Sequence, residues 1–104
     1  MTTIQTAHIG NRYLIGASGH AKYEAIGKDI VCAAISSLLQ SFLLYCEELF
    51  EQEKCVIEES KIKDGFILII VEGEAKYLEA AFKMLLVGLN DLAESYPKYI
   101  KMEK

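Results

Sequence analysis

The residues of this chain with the clearest chemical potential lie between Gly19 and Ser36. A histidine, His20, follows the first glycine, and a cysteine, Cys32, follows Asp29 by three positions. A thiol and an imidazole that meet in a fold can form a thiolate–imidazolium pair, which is a strong nucleophile. The sequence therefore predicts a candidate nucleophilic site at Cys32, with His20 as the nearest imidazole in sequence.

Asp29 is predicted to begin a helix, because aspartate is a favoured N-cap residue. Cys32 would then be the third helical residue, close to the unpaired N–H groups and the positive end of the helix dipole. That dipole is worth roughly 0.3–1 kcal/mol, less than one pKa unit, so the thiol needs a second group to activate it. Ser36 follows one helical turn later on nearly the same face. Gly19 and Gly27 flank the intervening loop and are candidate hinges.

Each of these residues also has a plain structural explanation. Cys32 is equally a small apolar residue at a helix start, and His20 is equally a strand-end histidine bonded to a backbone carbonyl. Ser36 would then bond a carbonyl four residues back, and the two glycines would be ordinary turn residues. The other two thiols, Cys46 and Cys55, lie at positions predicted to be buried, and we interpret them as core residues.

Composition predicts one globular domain over residues 1–104, because 52 % of the chain is hydrophobic. The domain is expected to be soluble and cytoplasmic, because the sequence shows no signal peptide, no membrane-spanning run and no disulfide pattern. A net charge of −4 argues against direct nucleic-acid binding and suits a basic protein partner. No apolar run reaches ~18 residues and no signal peptide is visible, so no membrane association is expected. The three cysteines show no metal-ligand spacing, so they are expected to be free thiols, with no metal or other cofactor.

The hydrophobic periodicity predicts an α+β fold of order ββαββα. Two-residue turns at Gly10-Asn11 and Asp64-Gly65 are typical of β-hairpins. We expect a four-stranded, mainly antiparallel sheet with two helices packed on one face. The predicted strands are Thr2–Ile9, Arg12–Ser18, Lys54–Lys61 and Phe66–Val71; the predicted helices are Asp29–Glu51 and Glu74–Tyr96, and the tail is either loose or a short edge strand.

The Phe66–Val71 strand is apolar on both faces, which predicts that it lies inside the sheet with both faces covered. Two helices in a chain of this size cover only one face. We therefore predict a two-fold homodimer in which a second copy covers the other face. The alternative is a mostly solvated face with isolated apolar residues.

The same stretch resembles the ribosomal-processing cysteine protease family known as Prp. The length and the ββαββα order agree with that family as well. The resemblance is carried by the pattern Gly19-His20-Ala21, Gly27, Asp29-Ile30-Val31-Cys32-Ala33 and Ser36.

The resemblance implies a specific activity and assigns roles to these residues. Cys32 would be the nucleophile and His20 the general base. The supporting or substrate-binding residues would be Asp29, Ser36, Gly19, Ala21 and Gly27. The implied reaction removes a short N-terminal extension from a large-subunit ribosomal protein precursor (number twenty-seven of that subunit). The cut would fall after a pair of aromatic residues and before a basic segment, and the family is homodimeric.

Two other functions remain open at this point. A non-enzymatic, ribosome-associated binding module would use the same loop and helix N-terminus to grip a ribosomal protein. A thiol sensor would oxidise Cys32 reversibly. The Cys32→Ser variant separates the three functions, because a binder keeps its affinity, a protease loses turnover and a sensor loses its oxidant response.

Overall fold

The fold contains five strands and two helices, in a computed structural model that describes residues 1–19 and 26–103, with only the backbone described for residues 26–29. The predicted order of the first six elements is confirmed, and a fifth strand follows them. The elements are β1 (Thr2–Ile9), β2 (Arg12–Ser18), α1 (Ile26–Glu51), β3 (Cys55–Lys63), β4 (Phe66–Gly73), α2 (Ala75–Ser95) and β5 (Ile100–Glu103).

The sheet has the strand order β3-β4-β2-β1-β5. All neighbouring strands are antiparallel except β1 and β5, which pair in parallel from Thr2 opposite Ile100. The four predicted strands are thus joined by a fifth, because the tail forms a short edge strand, one of its two predicted alternatives. The backbone N–H of Thr2 donates to the carbonyl of Tyr99 at 2.8 Å, so the chain after Pro97 attaches to the free edge of β1.

The two predicted hairpin turns are confirmed. Gly10 and Gly65 have φ angles of 58° and 76°, in the left-handed region that glycine adopts without strain. The strand β3 extends beyond the predicted Lys61 to Lys63, directly before the second turn. A register shift between Ile57 and Glu59 marks a bulge in its pairing with β4.

Helix α1 begins at Ile26, so the prediction that Asp29 caps it was wrong. Asp29 is the fourth helical residue and Cys32 the seventh, whereas the sequence placed Cys32 third. Acidic residues are favoured both at the N-cap and in the first helical turn, so residue type alone does not separate the two positions. At its other end α1 closes with N–H bonds from Glu53 to Phe50 O and from Lys54 to Leu49 O, a Schellman motif.

The core lies between the sheet and the two helices. Helix α1 packs against β3, β4 and α2, while α2 also packs against β5. The helical spacing of apolar residues predicts that Tyr45 belongs to the buried stripe of α1. In the structure it is 37 % exposed, and its hydroxyl donates to the carbonyl of Tyr77 at 2.7 Å. The buried stripes are Val31, Ile35, Leu39, Phe42, Leu43, Cys46 and Leu49 on α1, and Leu78, Phe82, Leu85 and Leu89 on α2.

The doubly apolar strand β4 lies inside the sheet, as predicted, between β3 and β2. Ile69 and Val71 are fully buried on the face that the helices cover. Leu68 and Ile70 project from the opposite face, where they are half-buried beside Leu14. We call this second face the open face of the sheet, since neither helix packs on it.

By length and composition alone, one segment of the described chain is able to cross a membrane: Ile30–Glu51 of α1, with a mean hydropathy of 1.6. The sequence criterion of an unbroken apolar run overlooked it because serine and glutamine interrupt the run. In the structure the same helix supplies Val31, Leu39 and Cys46 to the core. A core helix of a globular domain passes the same test, so the finding is weak evidence for a membrane span.

Candidate active site

A cleft of about 360 Å³ lies at the end of the sheet where β2 ends and β3 turns into β4. One wall comes from α1, and the opposite wall comes from the β3–β4 turn and the residues that flank it. The floor comes from the ends of β1, β2 and β4. The lining residues are Thr2, Ala17, Gly19, Cys32, Ile35, Ser36, Ile62, Lys63, Asp64, Gly65, Phe66 and Ile67.

Cys32 lines this cleft and is half-buried. Its position follows from helical spacing, because it lies on the flank of α1 beside the buried residues Val31 and Ile35. The unpaired N–H groups of a helix are those of its first turn. Cys32 is the seventh helical residue, so its backbone N–H lies beyond that turn. The thiol is therefore positioned by the helix without sitting at its terminus.

Ser36 also lines the cleft, as its spacing of one turn from Cys32 predicted. Its hydroxyl accepts a hydrogen bond from Nε2 of Gln40 at 2.6 Å. The hydroxyl still has its own proton to donate. The structure thus brings together two of the predicted site residues on one helix face.

Gly19 is the third predicted residue at the cleft, and it is held on two sides. Its N–H donates to the carbonyl of Gly65 at 3.0 Å. A Cβ at this position would lie 2.7 Å from Cα of Thr2 and closer still to the carbonyl oxygen of Met1. Only glycine fits here without a shift of backbone, so the chain directly before His20 is anchored in the fold.

The remaining predicted site residues are His20, Ala21, Gly27 and Asp29. His20 and Ala21 lie outside the described residues. Gly27 is the second residue of α1, whereas the sequence placed it in the loop before the helix, and its role as a hinge stays a prediction. Asp29 lies in the first turn of the same helix.

Sequence reasoning missed the wall formed by the β3–β4 turn. Lys63 and Asp64 supply the charged groups among the described lining residues. Ile62 and Phe66 supply apolar surface, and these residues are 48 % and 38 % exposed. The signal was present in the Asp-Gly hairpin, because pairing β4 with β2 carries that turn to the end of the sheet where β2 stops. The sequence gives no direct indication of that pairing.

The other two cysteines do not line the cleft and are buried in the core. Cys46 is fully buried and Cys55 is 7 % exposed, as predicted. Burial raises the pKa of Cys46 to about 12 and also raises the pKa of Cys55. Among the described residues no group of three His, Cys, Asp or Glu side chains is arranged to hold a metal ion. Cys32 is thus the cysteine with access to solvent and to a cleft.

Comparisons with known proteins identify the family of this chain. The family model described as cysteine protease Prp matches residues 1–101. Two ribosomal processing cysteine proteases Prp align over 93 residues, which is 89 % of this chain and 88 % of each relative. The protein from Mycoplasma genitalium is 33 % identical and that from Mycoplasma pneumoniae is 31 % identical.

Solved structures share the fold. SMU.848 from Streptococcus mutans superposes with a TM-score of 0.74 at 23 % identity, covering 99 % of this chain and 92 % of its own. The essential ribosomal processing protease Prp from S. aureus, in complex with a substrate peptide, gives a TM-score of 0.70 at 18 % identity, covering 99 % and 98 %. The family match over nearly the whole chain decides the assignment: this chain belongs to the cysteine protease Prp family.

Proposed function

We propose that this chain is an endopeptidase that removes the N-terminal extension of a large-subunit ribosomal protein precursor, number twenty-seven of that subunit. The cut follows an aromatic pair and precedes a basic segment. The observation that carries the proposal is the position of Cys32 in the wall of a cleft that also receives the chain leading into His20. The name of the two Mycoplasma relatives, ribosomal processing cysteine protease, supports the choice of substrate.

In the proposed mechanism Cys32 and His20 act as a dyad. The thiolate of Cys32 attacks the scissile carbonyl carbon, and the C–N bond breaks as His20 protonates the leaving amine. Water, deprotonated by His20, then attacks the thioester, which releases the carboxylate and the thiol. The N–H of Cys32 itself does not suit the oxyanion, because Cys32 is the seventh residue of α1 and lies beyond the unpaired first turn. The unpaired N–H groups of the first turn, at residues 26–28, are the better donors for the oxyanion.

The cleft suits the proposed substrate on both sides of the cut. Ile35, Ile62 and Phe66 give its walls an apolar character that matches aromatic side chains upstream of the scissile bond. The net charge of −4 favours association with a basic segment downstream. The same charge disfavours direct contact with nucleic acid. Such processing belongs in the cytoplasm, where ribosomal proteins are made.

The proposal includes a two-fold homodimer. Leu14, Leu68 and Ile70 form an apolar strip on the open face of the sheet, and none of them is more than half-exposed. A second uncovered apolar surface lies on the helices, where Met84 and Val87 are 74 % and 61 % exposed. We retain the open face as the interface, because a sheet strand with two apolar sides needs cover on both.

Two matched charge insertions locate the interface. Leu68→Glu places a carboxylate on the open face, and Met84→Glu places one on the outer surface of α2. Sedimentation velocity is expected to show a monomer for Leu68→Glu and a dimer for Met84→Glu. The reverse pattern moves the interface to the helices, and a monomeric wild-type protein removes the dimer from the proposal.

The activity itself is tested by mass spectrometry of the extended precursor. Wild-type protein is expected to produce a single cut after the aromatic pair, and Cys32→Ala is expected to produce none. Cys46→Ala is the matched control, since it changes a cysteine away from the cleft and should still cut. A precursor that binds but stays intact with wild-type protein would support the binding module, and one that neither binds nor is cut would refute the substrate.

A further inference from the structure

The outermost strand on the cleft side of the sheet is β3, and no other described strand pairs with its outer edge. The last part of this strand runs directly into the cleft, because Ile62 and Lys63 line its wall. Helix α1 packs over β3 and β4, with Cys32 on the same cleft. A free sheet edge and a candidate nucleophile therefore meet at one place.

The hydrogen-bond register shows which residues of β3 face outward. Gly65, directly before β4, accepts from the N–H of Gly19, and Gly73, the last residue of β4, donates to the carbonyl of Asn11. Both bonds run toward β2, so the odd-numbered residues from 65 to 73 point their backbone groups that way. The even-numbered residues then point toward β3.

The partners of those even-numbered residues on β3 bond inward. Phe66 and Leu68 pair with Lys63 and Lys61, so these two lysines direct their backbone groups to β4. The pair Lys63 and Phe66 closes the two-residue turn, and the closing pair of such a turn is hydrogen-bonded, in agreement with this assignment. Because backbone groups alternate along a strand, Ser60 and Ile62 direct their N–H and C=O groups to the free edge.

We propose that the substrate segment upstream of the scissile bond adds to the sheet as a strand along this edge, bonding the backbone of Ser60 and Ile62. This inference rests on the proposed function and deepens it. An added strand gains main-chain hydrogen bonds that are independent of side-chain identity, while the cleft supplies the preference for aromatic side chains. The upstream segment is the part that stays covalently attached to the thiol in the thioester, so contacts with it serve both chemical steps.

The proposal explains why the nucleophile lies on this flank of α1. A strand added outside β3 continues past Ile62 into the cleft, where the α1 wall carries Cys32 and Ser36. Its backbone would be fixed by the sheet before its scissile carbonyl reaches the thiol. Such fixation places the reacting atoms without a dedicated side-chain clamp.

One pair of variants at Ser60 tests the hydrogen bond from the protein side. Ser60→Pro removes the outward N–H and no internal ladder bond, a change that edge strands tolerate. Ser60→Ala removes only the hydroxyl. With a synthetic peptide that spans the precursor junction, KM for Ser60→Pro should exceed that for Ser60→Ala roughly tenfold, as expected for one lost hydrogen bond. Thermal unfolding of both variants checks that they are folded.

A scan of the same peptide tests the bond pattern independently of protein folding. Peptides carrying a single N-methyl amide at successive upstream positions should lose cleavage at alternate positions only, because a strand bonds its neighbour through every second residue. Equal KM values for the two Ser60 variants, or losses without alternation, would overturn the inference. Loss of the dimer in Ser60→Pro would also overturn it, by assigning the edge to a second copy.

These outcomes are separable from failure of the proposed function. If wild-type protein does not cut the unmodified peptide, the substrate assignment fails before any variant is compared. If it cuts the unmodified peptide and the alternation is absent, only the added strand is wrong.

Discussion

The two ends of the sheet place cysteines in opposite environments. At the turn end, Cys32 lies half-buried in the wall of a cleft. At the other end, Cys46 and Cys55 are buried in the core, and the thiol of Cys55 donates a hydrogen bond to the carbonyl oxygen of Cys46 at 3.2 Å. A small difference in helical position decides this contrast on α1, because Cys46 falls on the centre of the buried stripe and Cys32 on its flank.

The contrast teaches that residue type sets the available chemistry, while packing decides which of the cysteines can use it. A thiolate is the reactive form of cysteine, and burial disfavours a charge. The pKa of Cys46 is raised to about 12 by burial first, with smaller contributions from Cys55 and Glu47. At neutral pH this thiol stays protonated and lacks access to any substrate.

The largest expected effect comes from removing the thiol at the cleft. Cys32→Ala should lower kcat/KM for the precursor junction peptide by at least about 10³-fold, as loss of a covalent nucleophile does. Its free energy of unfolding should change by less than about 1 kcal/mol, because the side chain is only half-buried. Steady-state kinetics and thermal unfolding measure the two quantities.

The matched change at the buried end should show the opposite pattern. Cys46→Ala leaves a small cavity in the core and should lower the free energy of unfolding by about 1–3 kcal/mol. Its kcat/KM should remain close to the wild-type value under conditions where it is folded. Strong loss of activity in folded Cys46→Ala, together with activity in Cys32→Ala, would break the comparison.

A second, smaller effect is expected where the chain enters the cleft. Gly19→Ala forces a Cβ against Met1 and Thr2 and should displace the backbone before His20. A misplacement of about 1 Å costs up to roughly 10²-fold in rate, so we expect kcat to fall by about 10- to 100-fold. Gly16→Ala is the control, on β2 just before Gly19, since the nearest neighbours of its added Cβ are ordinary contacts at 3.5 and 3.6 Å.

Equal kcat values for the two glycine variants would show that the tight packing of Gly19 does not position the catalytic segment. A fall in thermal stability of Gly19→Ala without a fall in kcat would lead to the same conclusion. The comparison is informative because both glycines lie near the end of β2 and lack a positive φ.

Much of the fold could be predicted from local sequence signals. The Asp64-Gly65 turn follows from turn chemistry and was confirmed. The buried Leu78 and Phe82 of α2 lie at the spacing that the helical period requires. The strand β5 was harder, because Ile100 and its neighbours pair with β1 across nearly the whole length of the chain. Parallel pairing of distant segments has no local pattern to identify it.

The site was predictable where it depends on helical spacing and unpredictable where it depends on strand pairing. Cys32 and Ser36 share the cleft because they are one turn apart on α1. The opposite wall, with Ile62 and Phe66, comes from the pairing of β4 with β2. The start of α1 was misplaced because Asp29 suits a cap and a first turn equally.

The buried end also predicts a pH dependence of the free energy of unfolding. Below pH 9.0, the ordinary pKa of a thiol, Cys46 is protonated in both the folded and unfolded states. As the pH rises from there toward about 12, the unfolded state loses the proton and the folded state keeps it. The free energy of unfolding should therefore fall over this range.

Urea unfolding at several alkaline pH values measures this fall. Cys55 and Tyr13 also have raised pKa values and contribute in the same direction, so the informative quantity is the difference from Cys46→Ala. The variant should show a shallower decline than the wild-type protein. Parallel declines would mean that Cys46 is not protected from ionisation by burial.

The most direct test of the central claim, that Cys32 is the nucleophile, is alkylation of the native protein with iodoacetamide. Tandem mass spectrometry locates the adduct while cleavage of the precursor is followed in the same samples. We predict one adduct per chain, at Cys32, with activity lost in proportion to its formation. Full alkylation of Cys32 with cleavage intact, or inactivation that tracks Cys46 or Cys55 instead, would contradict the account.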